Sequence, residues 1–566
     1  MSYPNPSTAL ARIVVDELAR GGVGRVVAAP GSRSTALALA AAQAPDLDLV
    51  VALDERSAAF HALGWAKASG RPAAVLTTSG TAVANLLPAV VEADLSATPL
   101  IVLSSDRPAE LRGVGANQTI DQVGIFGGSI RFVLDLGPGE SHPDAPRWWR
   151  SMVAQGLGKA AGFGSRPGPV QFNLAFREPT VPVADDGRSR VEPYPYDEPG
   201  RDGRPWTTVA RARSPDPEVV ATVADAVSGV ERGVVVAGVG VAGKRAIADL
   251  GEVLGWPVLA TAESGLRGST ALATGHHLAG RVRPEVVLRF GGPGPSRNMI
   301  DLVSGPARQI VVAPTWSDPG RVADLIVDGD PAAVAAGLAA RVEAREAGEW
   351  MQWWKTADSA LRRSLEPELA GGLTEPAVAA ITGRLPAERM VVASSMPIRD
   401  VENYAFEVPP IVANRGASGI DGLVSTALGV AGGGFRTLAL SGDLSLLYDS
   451  NGFLCRPRPP CVFVVIDNGG GGIFSFLPQA RHAGGDFERL FATPPGRRLD
   501  LLAEFHQLEH HSAGDAASLE GAVAKGWEAE GGALVVVESE RDANVVEHQR
   551  LARVVDEALA SLTPPG

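Results

Sequence analysis

An α/β fold of three tandem Rossmann-like domains, each a parallel sheet flanked by helices, is predicted by three observations. Apolar runs of strand length alternate with helical stretches along the chain. Two irregular or amphipathic connections divide that alternation into three series. Polar residues fall just past the ends of several apolar runs, the edge at which parallel sheets bind ligands. A length of 566 residues also exceeds one ordinary core.

The first series, 1–185, carries "RVVAAP", "AAVLTTSG" and "PLIVLSSD" as strands and "SAAFHALGWAKASG" as a helix. The stretch "EPTVPVADDGRSRVEPYPYDEPGRDGRP", rich in Pro, Gly and charge, has neither period and reads as a linker. A smaller domain, 206–345, follows with "GVVVAGVGV", "PVLAT", "VVLRFGG" and "QIVVAP". The amphipathic stretch "AREAGEWMQWWKTADSALRRSL" leads to a third domain, 373–566, with "MVVASSMP", "TLALSGD", "CVFVVIDN" and "GALVVVESE". The chain shows no short-period repeat.

Composition narrows the function classes. The chain is 45% hydrophobic and 20% charged, and its 66 Gly and 43 Pro (109 of 566) stay below the roughly 25–30% that marks low complexity. A net charge of −13 argues against a nucleic-acid surface, although single arginines can still form a local anion site. Two cysteines, Cys455 and Cys461, are too few for a disulfide framework or a zinc site. The Met1 end lacks a signal-peptide layout, and no run approaches the roughly 20 apolar residues of a membrane span. A soluble cytoplasmic protein with no membrane partner is expected.

Chemistry concentrates in the third domain. "TLALSGD" places Gly442 and Asp443 just past one apolar run, and "VFVVIDN" places Asn468 past the next, 468 − 443 = 25 residues later. That interval suits one crossover between parallel strands, so the two polar groups can meet at the carboxyl edge. A carboxylate, an amide oxygen and the Gly470 carbonyl are hard donors of the kind Mg²⁺ takes, the remaining positions going to water and phosphate. Four successive glycines, Gly469 to Gly472, let backbone approach a diphosphate. Taken singly, Asp443 reads as a helix cap and Asn468 as a turn residue; together they favour a metal–diphosphate site.

The pair resembles the motif of the thiamin-diphosphate-dependent enzymes, Gly-Asp followed after some two dozen residues by Asn, and the three domains match that family along nearly the whole chain. "PGSRST", "DERSAAFHALG", "DRPAELRGVGANQTIDQ", "SSMPIRD" and "NRGASGIDGLVSTALG" resemble, in order, segments of its menaquinone-biosynthesis branch. The resemblance implies thiamin diphosphate with Mg²⁺, Mn²⁺ being the alternative cation. It implies decarboxylation of 2-oxoglutarate and 1,4-addition of the succinyl carbanion equivalent to isochorismate. It further implies an active site at a dimer interface, within a homotetramer.

Residue roles follow from the same resemblance. Glu55, by default a helix-start acid, matches the carboxylate that hydrogen-bonds the cofactor's aminopyrimidine ring and so promotes loss of the thiazolium proton. Asp443, Asn468 and Gly470 match the metal ligands. Ser395, Gly442, Leu444 and Ser445 match positions around the cofactor. Ile420 matches the bulky residue that bends it, and Ile473, Phe474 and Leu477 wall in its rings. Arg399 and Arg415 are assigned to 2-oxoglutarate as catalytic and substrate residues. Arg33 and Arg107, with Ser32, Asn117 and Gln118, are assigned to isochorismate, because guanidinium forks suit dicarboxylates. Arg297 is assigned to substrate as well, keeping the positive charge at a position where lysine is expected in some relatives.

"GVVVAGVGVAGKRAIADL" carries a competing signal. Gly238, Gly240 and Gly243 form a dinucleotide fingerprint, with Glu263 placed 263 − 243 = 20 residues on. The middle domain of thiamin enzymes is itself Rossmann-like, so a structural role is expected. The alternatives are a flavin-bearing carboligase resembling acetolactate synthase and a catalytically silent dinucleotide-binding regulator.

Overall fold

The computed structural model of the chain describes residues 2–139, 141–210, 215–240, 243–268 and 270–565. It contains three parallel sheets interleaved with helices. The first sheet comprises β1 (Arg25–Ala28), β2 (Asp48–Val51), β3 (Ala73–Thr77), β4 (Leu100–Asp106), β5 (Val133–Leu136) and β6 (Val170–Ala175), in the order β2-β1-β3-β4-β6-β5. The second comprises β7 (Gly233–Ala237), β8 (Val258–Ala260), β9 (Val286–Phe290), β10 (Arg308–Val312) and β11 (Ala323–Val327), ordered β11-β10-β9-β7-β8. The third comprises β12 (Arg389–Val392), β13 (Ile411–Val412), β14 (Thr437–Gly442), β15 (Val462–Asp467), β16 (Glu509–Ser512) and β17 (Ala533–Glu538), ordered β13-β12-β14-β15-β17-β16. Counted from its own first strand, the third sheet repeats the order of the first.

The chain forms two compact units. One holds Met1–Ala210 with Asn414–Phe435 and Leu447–Pro460; the other holds Arg211–Ala413, Arg436–Leu446 and Cys461–Gly566. In the first unit the helix Glu55–Ser69 packs on the helix Leu423–Ala431. Glycine permits the approach, since a Cβ on Gly64 would lie 2.2 Å from the Thr426 carbonyl oxygen and one on Gly429 2.1 Å from that of His61. The segment 178–205 is irregular, as its composition implies, yet it is tied down: Tyr194 is buried and stacks on Trp149 at 5.7 Å.

In the second unit the amphipathic stretch becomes the helix Glu349–Leu369, whose buried Trp350, Trp354, Ala357, Leu361, Leu365 and Leu369 recur at intervals of three and four. The dinucleotide-like glycines have packing reasons here. A Cβ on Gly238 would meet the Gly292 carbonyl oxygen at 1.9 Å, and one on Gly243 the Ala332 side chain at 2.0 Å. Gly240 lies at a φ of +78°. Val241 and Ala242 lie outside the described residues.

His61 carries a consequence for stability. It is buried, and Arg25 Nη1 lies 3.4 Å from its Nε2. Burial, reinforced by the Arg25 charge, lowers its pKa to about 3 from an ordinary 6.5. The unfolded chain therefore binds a proton that the folded chain refuses. The stabilisation is complete above pH 6.5 and is lost as pH falls from there toward 3. His61→Gln is expected to reduce proton uptake on unfolding at pH 5 by about one. Urea midpoints measured against pH check it.

Candidate active site

The third sheet assembles one group of predicted residues. β14 and β15 are neighbours in parallel register, Gly442 opposite Ile466, so Asp443 and Asn468 leave adjacent strands at the same carboxyl edge. Asp443 opens the short helix Asp443–Tyr448 and is 2% exposed. Its Oδ1 accepts from the Leu444 amide at 2.8 Å, while Oδ2 is buried without a hydrogen-bond partner. The Asn468 Oδ1 is likewise buried and unpartnered, and its Nδ2 donates to Glu375 Oε1 at 3.0 Å. Burial pushes the Asp443 carboxyl up to about 6, with the Asp467 charge adding to the rise while the Leu444 and Gly470 amides oppose it.

Two orphaned hard oxygen acceptors at one sheet edge fit a divalent cation, which would satisfy both and favour the ionised carboxylate. The glycine run belongs to the same place. Gly470 has a φ of +135°, and a Cβ there would fall 2.2 Å from the Ala492 carbonyl oxygen. A Cβ on Gly472 would fall 2.6 Å from Asn468 Nδ2. Only glycine fits at both, so the run keeps room for the Asn468 amide and for close backbone passage.

Other predicted residues of this unit surround that edge to different degrees. Ser395 follows β12, beside β14, at a φ of +84°, and its carbonyl accepts from Arg399 Nη1 at 2.5 Å. Leu444 and Ser445 continue from Asp443 in the same helix. Ile473 and Phe474 lie in the single turn after the glycines, Phe474 meeting Phe491 at 5.8 Å. Leu477 helps line an open groove of about 540 Å³ with Pro478, Gln479, His482 and Phe491. Arg297 stands apart: its side chain is 85% exposed and pairs along its helix with Asp301 at 3.0 Å.

The first unit gathers a second group. Asp54 caps the helix that Glu55 begins, accepting from the Arg56 and Ser57 amides at 2.9 and 3.2 Å. The default capping role is thus filled by its neighbour, and the half-buried Glu55 is contacted by Asn85 Nδ2 at 3.3 Å. Asp449 steadies the helix by accepting from Ser57 Oγ at 3.1 Å and from the Ser425 amide at 2.7 Å. Arg107 donates to Ser79 Oγ, and Ser79 exchanges hydrogen bonds with Gln118, whose φ is +54°. Arg33 donates to the Phe176 carbonyl at 2.9 Å and pairs with Glu178 at 3.1 Å. Burial and the nearby Arg33 charge lower the pKa of Arg107, a strain that an anionic ligand would relieve. Ser32 and Asn117 are exposed; Arg415 and Ile420 are half-buried, and Arg415 Nε has no partner.

Sequence reasoning missed Ser79, Asn85, Asp449 and Glu375. The first two sit in "TTSGTAVAN", directly after β3, where a polar run past a strand was available as a signal. Glu375 reads as an ordinary first-turn acid after Thr374, yet it is 3% exposed. Burial first, then the Asp400 charge, pushes its pKa up to about 7, while bonds from Asn468 and Ser539 pull it down.

Two orphaned oxygens at a sheet edge of one unit and a half-buried glutamate opening a helix of the other match the expectation for a thiamin-diphosphate enzyme. The family model "Thiamine pyrophosphate enzyme, N-terminal TPP binding domain" matches residues 8–125. The chain is 42% identical to the 2-succinyl-5-enolpyruvyl-6-hydroxy-3-cyclohexene-1-carboxylate synthase of Rubrobacter xylanophilus, covering 97% of this chain and 98% of that protein. Its identity to the synthases of the same name from Thermobifida fusca and Myxococcus xanthus is 41% and 40%. Those matches cover 98% and 97% of this chain, and 99% and 97% of the relatives. The chain belongs to the 2-succinyl-5-enolpyruvyl-6-hydroxy-3-cyclohexene-1-carboxylate synthase family. This membership disfavours the flavin-bearing alternative.

Proposed function

We propose that the protein decarboxylates 2-oxoglutarate with thiamin diphosphate and adds the succinyl unit to isochorismate, making 2-succinyl-5-enolpyruvyl-6-hydroxy-3-cyclohexene-1-carboxylate for menaquinone biosynthesis. The observation that carries the reading is end-to-end similarity to synthases of that name, joined to the unsatisfied oxygens of Asp443 and Asn468. Mg²⁺ is the proposed cation, Mn²⁺ its substitute, and Gly470 the third protein ligand through its carbonyl. Held by these residues, the cofactor would supply a nucleophilic carbon and an electron sink for decarboxylation.

The chain's own residues then divide the work. Asp443, Asn468 and Gly470 anchor the diphosphate through the cation, and Glu55 holds the pyrimidine end by a hydrogen bond. Ile420, Ile473, Phe474 and Leu477 exclude water from the rings between. Arg33 and Arg107, with Gln118 and Ser79 behind them, receive the carboxylates of isochorismate. Glu55 and the metal ligands come from different chains in this reading, so the working molecule is a dimer or a pair of dimers in the cytoplasm. The deciding assay is cofactor-dependent CO₂ release from 2-oxoglutarate, with and without isochorismate. No release, or equal turnover of pyruvate, would overturn the proposal.

The arginines give that reading a finer test. Pyruvate lacks the distal carboxylate that an arginine fork would bind in 2-oxoglutarate, and that missing contact should cost on the order of a hundredfold or more in rate. Arg399→Ala and Arg415→Ala are expected to slow formation of the first covalent adduct from 2-oxoglutarate even without isochorismate. Arg107→Ala is expected chiefly to raise the isochorismate KM. Single-turnover measurements check the division, and normal adduct formation in both of the first two variants would refute it.

A further inference from the structure

We infer that Glu375 is a positioning residue for the metal site: it fixes the rotation of the Asn468 amide so that the carbonyl oxygen, not the NH₂ group, faces the cation. The inference rests on the cation-binding reading above.

An asparagine offers two chemically opposite ends of nearly equal shape, and only one can ligate a cation. Something must hold the NH₂ end elsewhere. Glu375 Oε1 accepts from Asn468 Nδ2 at 3.0 Å and from Ser539 Oγ at 3.0 Å. Asn468 follows β15 and Ser539 follows the adjacent β17, so one carboxylate oxygen ties together two strand ends of the carboxyl edge. In its ionised form Glu375 accepts and does not donate, so the reversed amide would then set oxygen against oxygen. The amide is thereby turned with Oδ1 away from Glu375, and that Oδ1 is the buried atom without a partner. Burying a carboxylate is costly unless it is hydrogen-bonded, and here both side-chain donors to Oε1 come from the carboxyl edge of the third sheet. Partners behind the ligands of metal sites commonly have this function.

The test is Mn²⁺ binding followed by electron paramagnetic resonance in the presence of thiamin diphosphate. Glu375→Leu is expected to weaken Mn²⁺ about 10- to 100-fold, the usual effect of losing such a partner. Glu375→Gln keeps an accepting oxygen and is expected to stay within about threefold. The decisive comparison exchanges donor and acceptor. Asn468→Asp alone sets two carboxylates face to face and should bind Mn²⁺ poorly. Adding Glu375→Gln supplies an amide donor from position 375 and should restore binding at least about tenfold, a coupling that mere packing would not produce. This cycle decides the matter even where Glu375→Leu fails to fold. Wild-type affinity in folded Glu375→Leu, or a double variant no better than Asn468→Asp, overturns the positioning role. If Asp443→Ala binds Mn²⁺ as the wild type does, the metal site itself is misassigned and the inference falls with it.

Discussion

Asp443→Ala is expected to abolish thiamin-diphosphate binding while the third sheet stays folded. The Asp443 Oδ2 has no protein partner, so no hydrogen bond of that oxygen is lost with the side chain. What is lost is the one charged protein ligand in the proposed set, and with it the bridge between protein and diphosphate. Removing one member of a buried charge pair costs about 3–5 kcal/mol, which puts the loss of affinity at about a hundredfold to a few thousandfold. The fold should tolerate the change. Burial already pushes this carboxyl up to about 6, so without a cation its ionised form works against the folded state at neutral pH. Calorimetric titration with thiamin diphosphate and Mg²⁺ gives the affinity, and thermal unfolding of the cofactor-free protein gives the stability. Unchanged affinity would remove Asp443 from the site.

The parts of this molecule that the sequence reveals are those whose signal is local. Central strands such as β4, β7, β14 and β15 are buried on both faces and carry short apolar runs, "LIVL", "VVVA", "LAL" and "VFVVI". The strands that went unread include β5, β11, β13 and β16, which lie at sheet edges, and the interior β6, whose apolar run "VQFNLA" is broken by Gln171 and Asn173. At an edge a strand can be two residues long, as β13 is, or polar, as "EHHS" is in β16. The same contrast governs the site. Asp443 and Asn468 announce themselves because each directly follows a central strand. Glu375 does not, because its meaning depends on Asn468, 93 residues away, and on Ser539, 164 residues away. The glycine run was legible as a need for space, but the neighbour that imposes it at Gly470, the Ala492 carbonyl, comes from a segment with no evident motif. The dinucleotide-like glycines show the converse, a local pattern accounted for by close packing at Gly238 and Gly243.

Glu55→Gln is expected to leave the fold, the metal site and most of the cofactor affinity in place, yet to slow proton loss from the thiazolium carbon of bound cofactor by about 10²- to 10⁴-fold. The fold should survive because Asp54, not Glu55, caps the helix, and because Asp449 and the Gly64 and Gly429 contacts hold that helix in place. The hydrogen bond from Asn85 survives as well, since a glutamine oxygen still accepts. What the amide cannot do is take or share a proton at the pyrimidine ring, because its oxygen is a far weaker base than a carboxylate. Hydrogen–deuterium exchange at that carbon, read by NMR after acid quench, isolates the step from substrate binding and from decarboxylation. Calorimetry on the same preparation separates it from cofactor loss. Slow exchange with near wild-type affinity assigns Glu55 to the proton step. Wild-type exchange rates would return it to the ordinary role of a first-turn acid, with the activating group to be sought elsewhere.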